Sequence, residues 1–282
     1  MPVVADDGHR FDLIRVPAED PTGRFLFLPG MGMTARQYIP HAQALANHGI
    51  EVFIHEWRGL GSSNVRAGRA SNWGYHELLE LDLTAAVDAL GNAAGEQKLI
   101  LGGHSLGSQF ACLLAACRPT QTAGVVIIAG GAPYWRSFPH RHRWALRAVF
   151  SIMPVVAAMV GHYPGRQLGF AGREARNVIG DWCRTGRTGL YAAPGIELDL
   201  EAGMTGLDIP VLGLRMAGDW FVPPASLDYL LDKLPGCKCQ TVTIRPEHPD
   251  DKADHYSWMK VTGPTARAIA DWHQSMAATS RA

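Results

Sequence analysis

At 282 residues the chain can hold one large core or two modest ones. Its 26 basic and 26 acidic residues cancel, which argues against nucleic acid as the main partner, because that partner demands a strongly basic face. With 47% hydrophobic and 18% charged residues, the composition is that of an ordinary globular protein.

The first twelve residues, MPVVADDGHRFD, carry three acidic side chains and no long apolar run. They do not read as a secretory signal, and a reducing cytoplasm is the expected compartment. Short apolar runs then alternate with longer amphipathic segments, the pattern of a mostly parallel α/β sheet covered by helices. Strands are expected around residues 11–16 and at FLFLPG (25–30), EVFIHEW (51–57), KLILGG (98–103), GVVIIAGG (124–131), PVLGLRMAG (210–218) and CQTVTI (239–244). Several are apolar at consecutive positions, as a strand buried on both faces requires. Helices fit between them at about 35–48, 76–92, 106–117, 224–234 and 263–277.

One interval breaks this rhythm. Between Gly131 and Pro210 lie nearly 80 residues without a convincing strand, although helical stretches recur at about 139–162 and 172–186. A structureless loop of that length is improbable in a compact domain, so residues 132–207 are expected to form a helical insertion, and 1–131 with 208–282 the core. Ligands of open α/β sheets bind beyond the carboxyl ends of the strands, and an insertion there would roof that crevice. The apolar stretch WALRAVFSIMPVVAAMVGHY (144–163) is interrupted by Arg147 and Pro154. Each piece is too short to span roughly 30 Å of hydrocarbon. It reads as two helices broken at the proline, and no membrane span is expected.

Five cysteines, Cys112, Cys117, Cys183, Cys237 and Cys239, form no C-x-x-C pair, so neither a disulfide framework nor a zinc site is suggested.

The chemistry centres on KLILGGHSLGSQ (98–109), where Ser105 is the middle of a G-x-S-x-G. In a chain with 31 glycines the motif alone is weak, but here it falls between a strand and a helix. Gly103 and Gly107 flank the serine where side chains would collide in a sharp turn. The competing reading is a serine that merely caps the helix. A nucleophilic serine needs a base, and the base needs an orienting group. Asp219 directly follows the strand in PVLGLRMAGDWFVPP, whereas AGGAPYW, after the preceding strand, has no acid. Its bland alternative is a turn or capping carboxylate. The last loop, RPEHPDDKADHYSW, offers two histidines. His255 precedes a new helix, while His248 is flanked by Pro249 and acidic residues, as a surface histidine would be. Backbone N–H groups for an oxyanion are available at Leu106, after the serine, and at Met31 between Gly30 and Gly32.

Taken in order, these parts resemble the α/β-hydrolase superfamily over nearly the full length except the insertion. GHSLG resembles its nucleophile elbow, and EWRGLGSS (56–63) its D-x-R-G-x-G-x-S turn, with Glu56 where Asp is usual and shifted relative to Arg58. PGMGMTARQY (29–38) resembles its oxyanion loop, Pro29 replacing a common His. Asp219 with Val222-Pro223 resembles its D-x-x-V-P, and His255 with Trp258 its H-x-x-[FW]. The start of the insertion (Ala132 to Trp135) and PGRQLGF (164–170) resemble a bacterial branch related to lysophospholipases and serine-peptidase-like hydrolases. The resemblance implies an α/β-hydrolase fold: a mostly parallel sheet of about eight strands flanked by helices, with a helical cap. It implies a Ser105-His255-Asp219 triad with Met31 and Leu106 amides as oxyanion hole, and no metal or organic cofactor. A serine rather than an aspartate at the elbow argues against a dehalogenase.

For the substrate, Tyr134, Trp135, Trp182, Trp220 and Phe221 are the candidate lining residues, and an aromatic roof suits an apolar acyl group. The run RSFPHRHRWALR (136–147), with Arg136, Arg141, Arg143 and Arg147, is either a solvated helix face or a contact for an anionic portion. Three functions follow: a hydrolase of small or medium apolar acyl esters; a thioesterase or acyltransferase with a CoA or carrier-protein partner; and a non-catalytic binding protein on the same fold. The intact Ser105, Asp219 and His255 count against the third.

Overall fold

The computed structural model describes residues 1–94 and 98–279. β1 (Pro2–Val4) and β2 (Arg10–Asp12) pair antiparallel as a separate ribbon. β3 (Ile14–Val16), β4 (Gly23–Leu28), α1 (Ile39–Ala46) and β5 (Ile50–Ile54) follow. A π-helical stretch, Glu77–Leu83, runs directly into α2 (Thr84–Ala94). Then come β6 (Leu99–His104), α3 (Leu106–Cys117) and β7 (Thr122–Ile128). The segment after β7 holds α4 (His140–Val160), β8 (Tyr163–Pro164), α5 (Gly165–Leu168), β9 (Arg173–Glu174), α6 (Arg176–Thr188) and α7 (Leu200–Thr205). β10 (Pro210–Met216), α8 (Pro224–Leu231), β11 (Lys238–Ile244) and α9 (Gly263–Thr279) complete the chain.

The main sheet has the order β11-β10-β7-β6-β4-β5-β3, parallel throughout except for the antiparallel β3 edge. It has seven strands, one from each expected segment, and the expected strand at 11–16 divides at Leu13. Its first half pairs with β1 and only its second half joins the sheet. Every residue of β4, β5 and β6 is buried, and alternate side chains serve opposite faces. Leu26, Leu28, Leu99 and Leu101 meet Phe110 and Leu114 of α3. Phe25, Phe27 and Ile100 meet Leu45 of α1 and Ile269 of α9.

α4 is one continuous helix with Pro154 inside it, not two. A mid-helix proline leaves the carbonyl four residues back without its N–H donor. Here that carbonyl, of Phe150, accepts from the guanidinium of Arg187 on α6, so the break is repaired by a neighbouring element. Among the described residues α4 is the one helix long and apolar enough to cross a membrane; Phe150, Met153 and Ala157 on one side of it are buried in the protein.

Beside the β1–β2 ribbon lies an ionic network centred on the buried Asp82 and Arg58, with Asp7 at its exposed edge. Arg58 donates to Asp82 at 2.6 and 2.9 Å and to Asp7 at 2.6 and 3.0 Å. His9 bridges Asp82 and Ser63, each at 2.8 Å. Removing one partner of such a network leaves a charge uncompensated, at a cost of about 3–5 kcal/mol. Arg58→Met is therefore expected to lower the unfolding free energy in urea by about that amount, which equilibrium denaturation followed by circular dichroism will measure.

Among the buried histidines, three are held neutral by their surroundings. Burial lowers His41 and His55 from 6.5 to about 3, and lowers His104 well below its ordinary value. The unfolded chain binds protons at these sites below pH 6.5 whereas the folded chain does not, so stability is lost as pH falls through the interval from 6.5 towards 3. Each group contributes up to ~1.4 kcal/mol per pH unit to that slope. Urea midpoints at pH 7 and at pH 5 should differ accordingly; equal midpoints would contradict the burial.

Candidate active site

Ser105 stands between β6 and α3 with φ 54° and ψ −116°, a conformation that a non-glycine residue adopts only under strain. The strain is held from three sides. Its N–H donates to the Ile128 carbonyl at 3.1 Å, and its own carbonyl accepts from Ser108 Oγ at 2.6 Å. The third side is the end of β4: a Cβ on Gly103 or on Gly107 would lie 2.2 or 2.0 Å from the Leu28 carbonyl oxygen. Only glycine at both positions lets the turn close on β4.

His255 reaches Ser105 from the last loop, with Nε2 3.2 Å from Oγ. Its Nδ1 lies 3.0 Å from Oδ2 of Asp219. The second oxygen of Asp219 accepts from the amides of Phe221 and Val222 at 2.8 and 2.9 Å, which fixes the plane of the carboxylate. Gly218 N–H donates to the Ala253 carbonyl at 2.7 Å, so the acid loop and the histidine loop are tied together. With the Asp219 carboxylate accepting at Nδ1–H, Nε2 is left as the lone-pair nitrogen facing the serine. The chain thus brings Ser105, His255 and Asp219 into one hydrogen-bonded line, while His248 stays on the surface of its loop.

Met31 and Leu106 lie on either side of this line in sequence, one after β4 and one at the start of α3. The Leu106 amide, in the first turn of α3, has no intrahelical acceptor. Among the described residues the Met31 amide has no partner either. The loop carrying Met31 is braced by a pair that the motif pattern does not single out. Gly30 N–H donates to the Tyr38 hydroxyl at 2.9 Å, and that oxygen sits 2.7 Å from Nδ1 of His104. Burial keeps His104 neutral, so its Nδ1 can accept the tyrosine proton. Glu56 accepts from the Ala35 amide at 3.1 Å and anchors the far end of the same loop.

The roof closes on the site through bare backbone. A Cβ on Gly32, where φ is +74°, would lie 2.2 Å from the Gly172 nitrogen. Phe221 is 4.8 Å from the His255 ring, and Phe170 stacks on Phe221 at 5.6 Å and on Trp182 at 5.5 Å. Trp220 points outward, 78% exposed. Tyr134 and Trp135 are engaged elsewhere. Tyr134 lies against Tyr229 at 4.8 Å, and Trp135 is buried with its indole N–H on the Arg187 carbonyl at 3.2 Å. Of the aromatic candidates, Phe221 is next to His255 and Trp182 stands two rings behind it, with Phe170 between them; nothing in PGRQLGF marks its phenylalanine as facing a site.

The family described as serine aminopeptidase, S33, matches residues 19–171. No curated protein matches the chain. Among solved structures, the chain is similar to a monoacylglycerol lipase of Paleococcus ferrophilus, with a TM-score of 0.63, 18% identity, and coverage of 94% of this chain and 100% of that one. It is also similar to a thermophilic esterase from Thermogutta terrifontis, with a TM-score of 0.64, 16% identity, and 98% of each chain covered. A third is Est1E from Butyrivibrio proteoclasticus, solved with ferulic acid, with a TM-score of 0.63, 16% identity, and coverage of 98% of this chain and 99% of that one. At such identities these likenesses speak for the fold.

Proposed function

The chain belongs to the serine aminopeptidase S33 family and is an α/β-hydrolase enzyme, and from that premise we propose that it cleaves carboxylic esters of small to medium apolar acyl groups through Ser105, His255 and Asp219. The observation that carries this reading is the unbroken line from Ser105 Oγ through both nitrogens of His255 to Asp219, at 3.2 and 3.0 Å. His255 Nε2 takes the serine proton as Oγ attacks the acyl carbon. The oxyanion is stabilised by the N–H groups of Met31 and Leu106. Nε2–H then protonates the leaving alkoxide, and water, deprotonated by the same nitrogen, resolves the acyl-enzyme. Asp219 holds the tautomer and balances the transient imidazolium.

Residues 132–207 act as the cap, and its aromatic underside at Phe170 and Trp182, with Phe221 from the core, favours an apolar acyl group. The basic run 136–147 lends less to the thioesterase reading. Arg136 and Arg147 sit over the Trp135 ring at 5.0 and 5.3 Å, and Arg143 donates to the Phe138 carbonyl. The test is a fluorophosphonate label read by intact mass, followed by esters and thioesters of graded chain length and an aminoacyl anilide. One adduct, with highest turnover on apolar acyl esters, is expected. A protein that takes no label would be a binder on a hydrolase fold.

Tyr38→Phe tests the brace of the oxyanion loop. It deprives Gly30 N–H and His104 of their partner while keeping the ring, and one lost buried hydrogen bond is worth about 1–3 kcal/mol. The expected result is a kcat about tenfold lower or more with KM little changed, because an oxyanion donor acts on the transition state.

A further inference from the structure

We propose that α4 is a membrane-docking helix, which lies flat on an anionic bilayer with its outward face in the headgroup boundary. The inward side is occupied, since Phe150, Met153 and Ala157 are buried and Phe150 is 5.1 Å from Trp182 of α6. The outward side is apolar and open: Trp144 (69% exposed), Val149, Ile152, Val155, Met159 (71%) and Val160 all face solvent. From Ala148 to Val160 there is no charged residue. The strip from Trp144 to Val160 is ~24 Å long at the helical rise. That is far more contiguous apolar surface than scattered exposed residues produce, and it calls for a covering partner.

Charge identifies the partner. In a chain whose charges sum to +0, no Asp or Glu occurs anywhere from Lys98 to Arg173. The amino-terminal end of α4 carries the exposed Arg141 and Arg147 with His140 and His142, and the exposed Arg136 lies just before it. Arg147 lies over both Trp135 and Trp144, at 5.3 and 5.7 Å, so a cation sits over the ring of an exposed indole. A basic end, an interfacial tryptophan and an apolar strip together fit an anionic lipid surface. A spanning helix would have to free Phe150 from its partners on α6 and pull Arg147 into hydrocarbon, whereas a flat one keeps both in place. The docked face is the back of the roof over the site: Phe150, Trp182, Phe170, Phe221 and His255 follow one another ring to ring at 5.1, 5.5, 5.6 and 4.8 Å.

The experiment is vesicle flotation of the full chain with phosphatidylcholine alone and with an equal mixture of phosphatidylcholine and phosphatidylglycerol. The protein is expected to float with the mixed vesicles, and less so at high salt. The double variant Ile152→Asp with Val155→Asp should float about tenfold less or worse. Arg141→Glu with Arg147→Glu should lose the preference for the anionic mixture. All four side chains are exposed, so these variants keep the core intact. Ser105→Ala should float as the parent does, which separates docking from the hydrolase reading. Failure of the parent to float on either vesicle, undiminished flotation of the Ile152/Val155 variant, or self-association through α4 without flotation would each overturn the proposal.

Discussion

Ser105→Ala is expected to lower kcat on the best ester by on the order of 10⁵ to 10⁶, with no fluorophosphonate adduct and an unchanged unfolding midpoint. The magnitude follows from what the hydroxyl does. Without it His255 has no proton to take and no acyl-enzyme forms, leaving only water attack assisted by the two amides. The fold should tolerate the change, because the constraints on residue 105 act on its backbone: the Ile128 carbonyl, Ser108 Oγ and the close approach to Leu28. Alanine at φ 54° is strained much as serine is, so the backbone cost is common to both. A variant that kept a tenth of the parental turnover would show that another group is the nucleophile.

Asp219→Asn is expected to lower kcat by about 10⁴ with the acyl-enzyme still detectable on long incubation. An amide at this position keeps an oxygen for the Phe221 and Val222 amides, so the loop geometry survives. The other end then presents NH₂ to His255 Nδ1, and the imidazole must accept there. The proton moves to Nε2, and the lone pair that should meet Ser105 is lost. Because the lesion is one of tautomer, raising the pH should restore part of the rate through hydroxide attack. Asp219→Ala, which frees the two amides as well, should also move the loop and raise KM. Equal loss in both variants with no pH rescue would argue that Asp219 serves the loop rather than the histidine.

Much of this architecture is legible in the sequence because parallel strands buried on both faces announce themselves as unbroken apolar runs. The turn at Ser105 is legible for a related reason: Gly103 and Gly107 stand where the backbone of β4 leaves no room, and such a prohibition shows directly as a residue type. Asp219 and His255 could be placed because each follows a readable strand. What the sequence does not display are compensations between distant segments. Pro154 forecasts a broken helix, and the carbonyl it frees is satisfied by Arg187, 33 positions later. The split at Leu13 depends on residues 10–12 preferring β1 to the main sheet. The pairing of Tyr38 with His104 is not legible, because the variable position before an elbow serine carries no rule, and only the fold shows that the two side chains meet behind the loop. The roof is the least readable part. Its aromatics are known by type, yet which of them turn towards His255 is set by α4, α6 and the short β8–β9 hairpin together.

The meeting of Gly32 with Gly172 bears on how this protein can be redesigned or can diverge. Two backbones pressed together leave no degree of freedom for a side chain on either, so both positions are closed to variation for as long as the roof stays where it is. A library intended to retune acyl preference gains nothing by sampling them and would be dominated there by misfolded members. Diversity belongs at Phe170, Trp182 and Phe221, whose rings vary the shape of the space without touching the seam. The same seam offers a filter across related sequences: loss of glycine at one of the two positions should accompany a shortened or displaced roof, and so mark the point at which a lineage has changed what it admits.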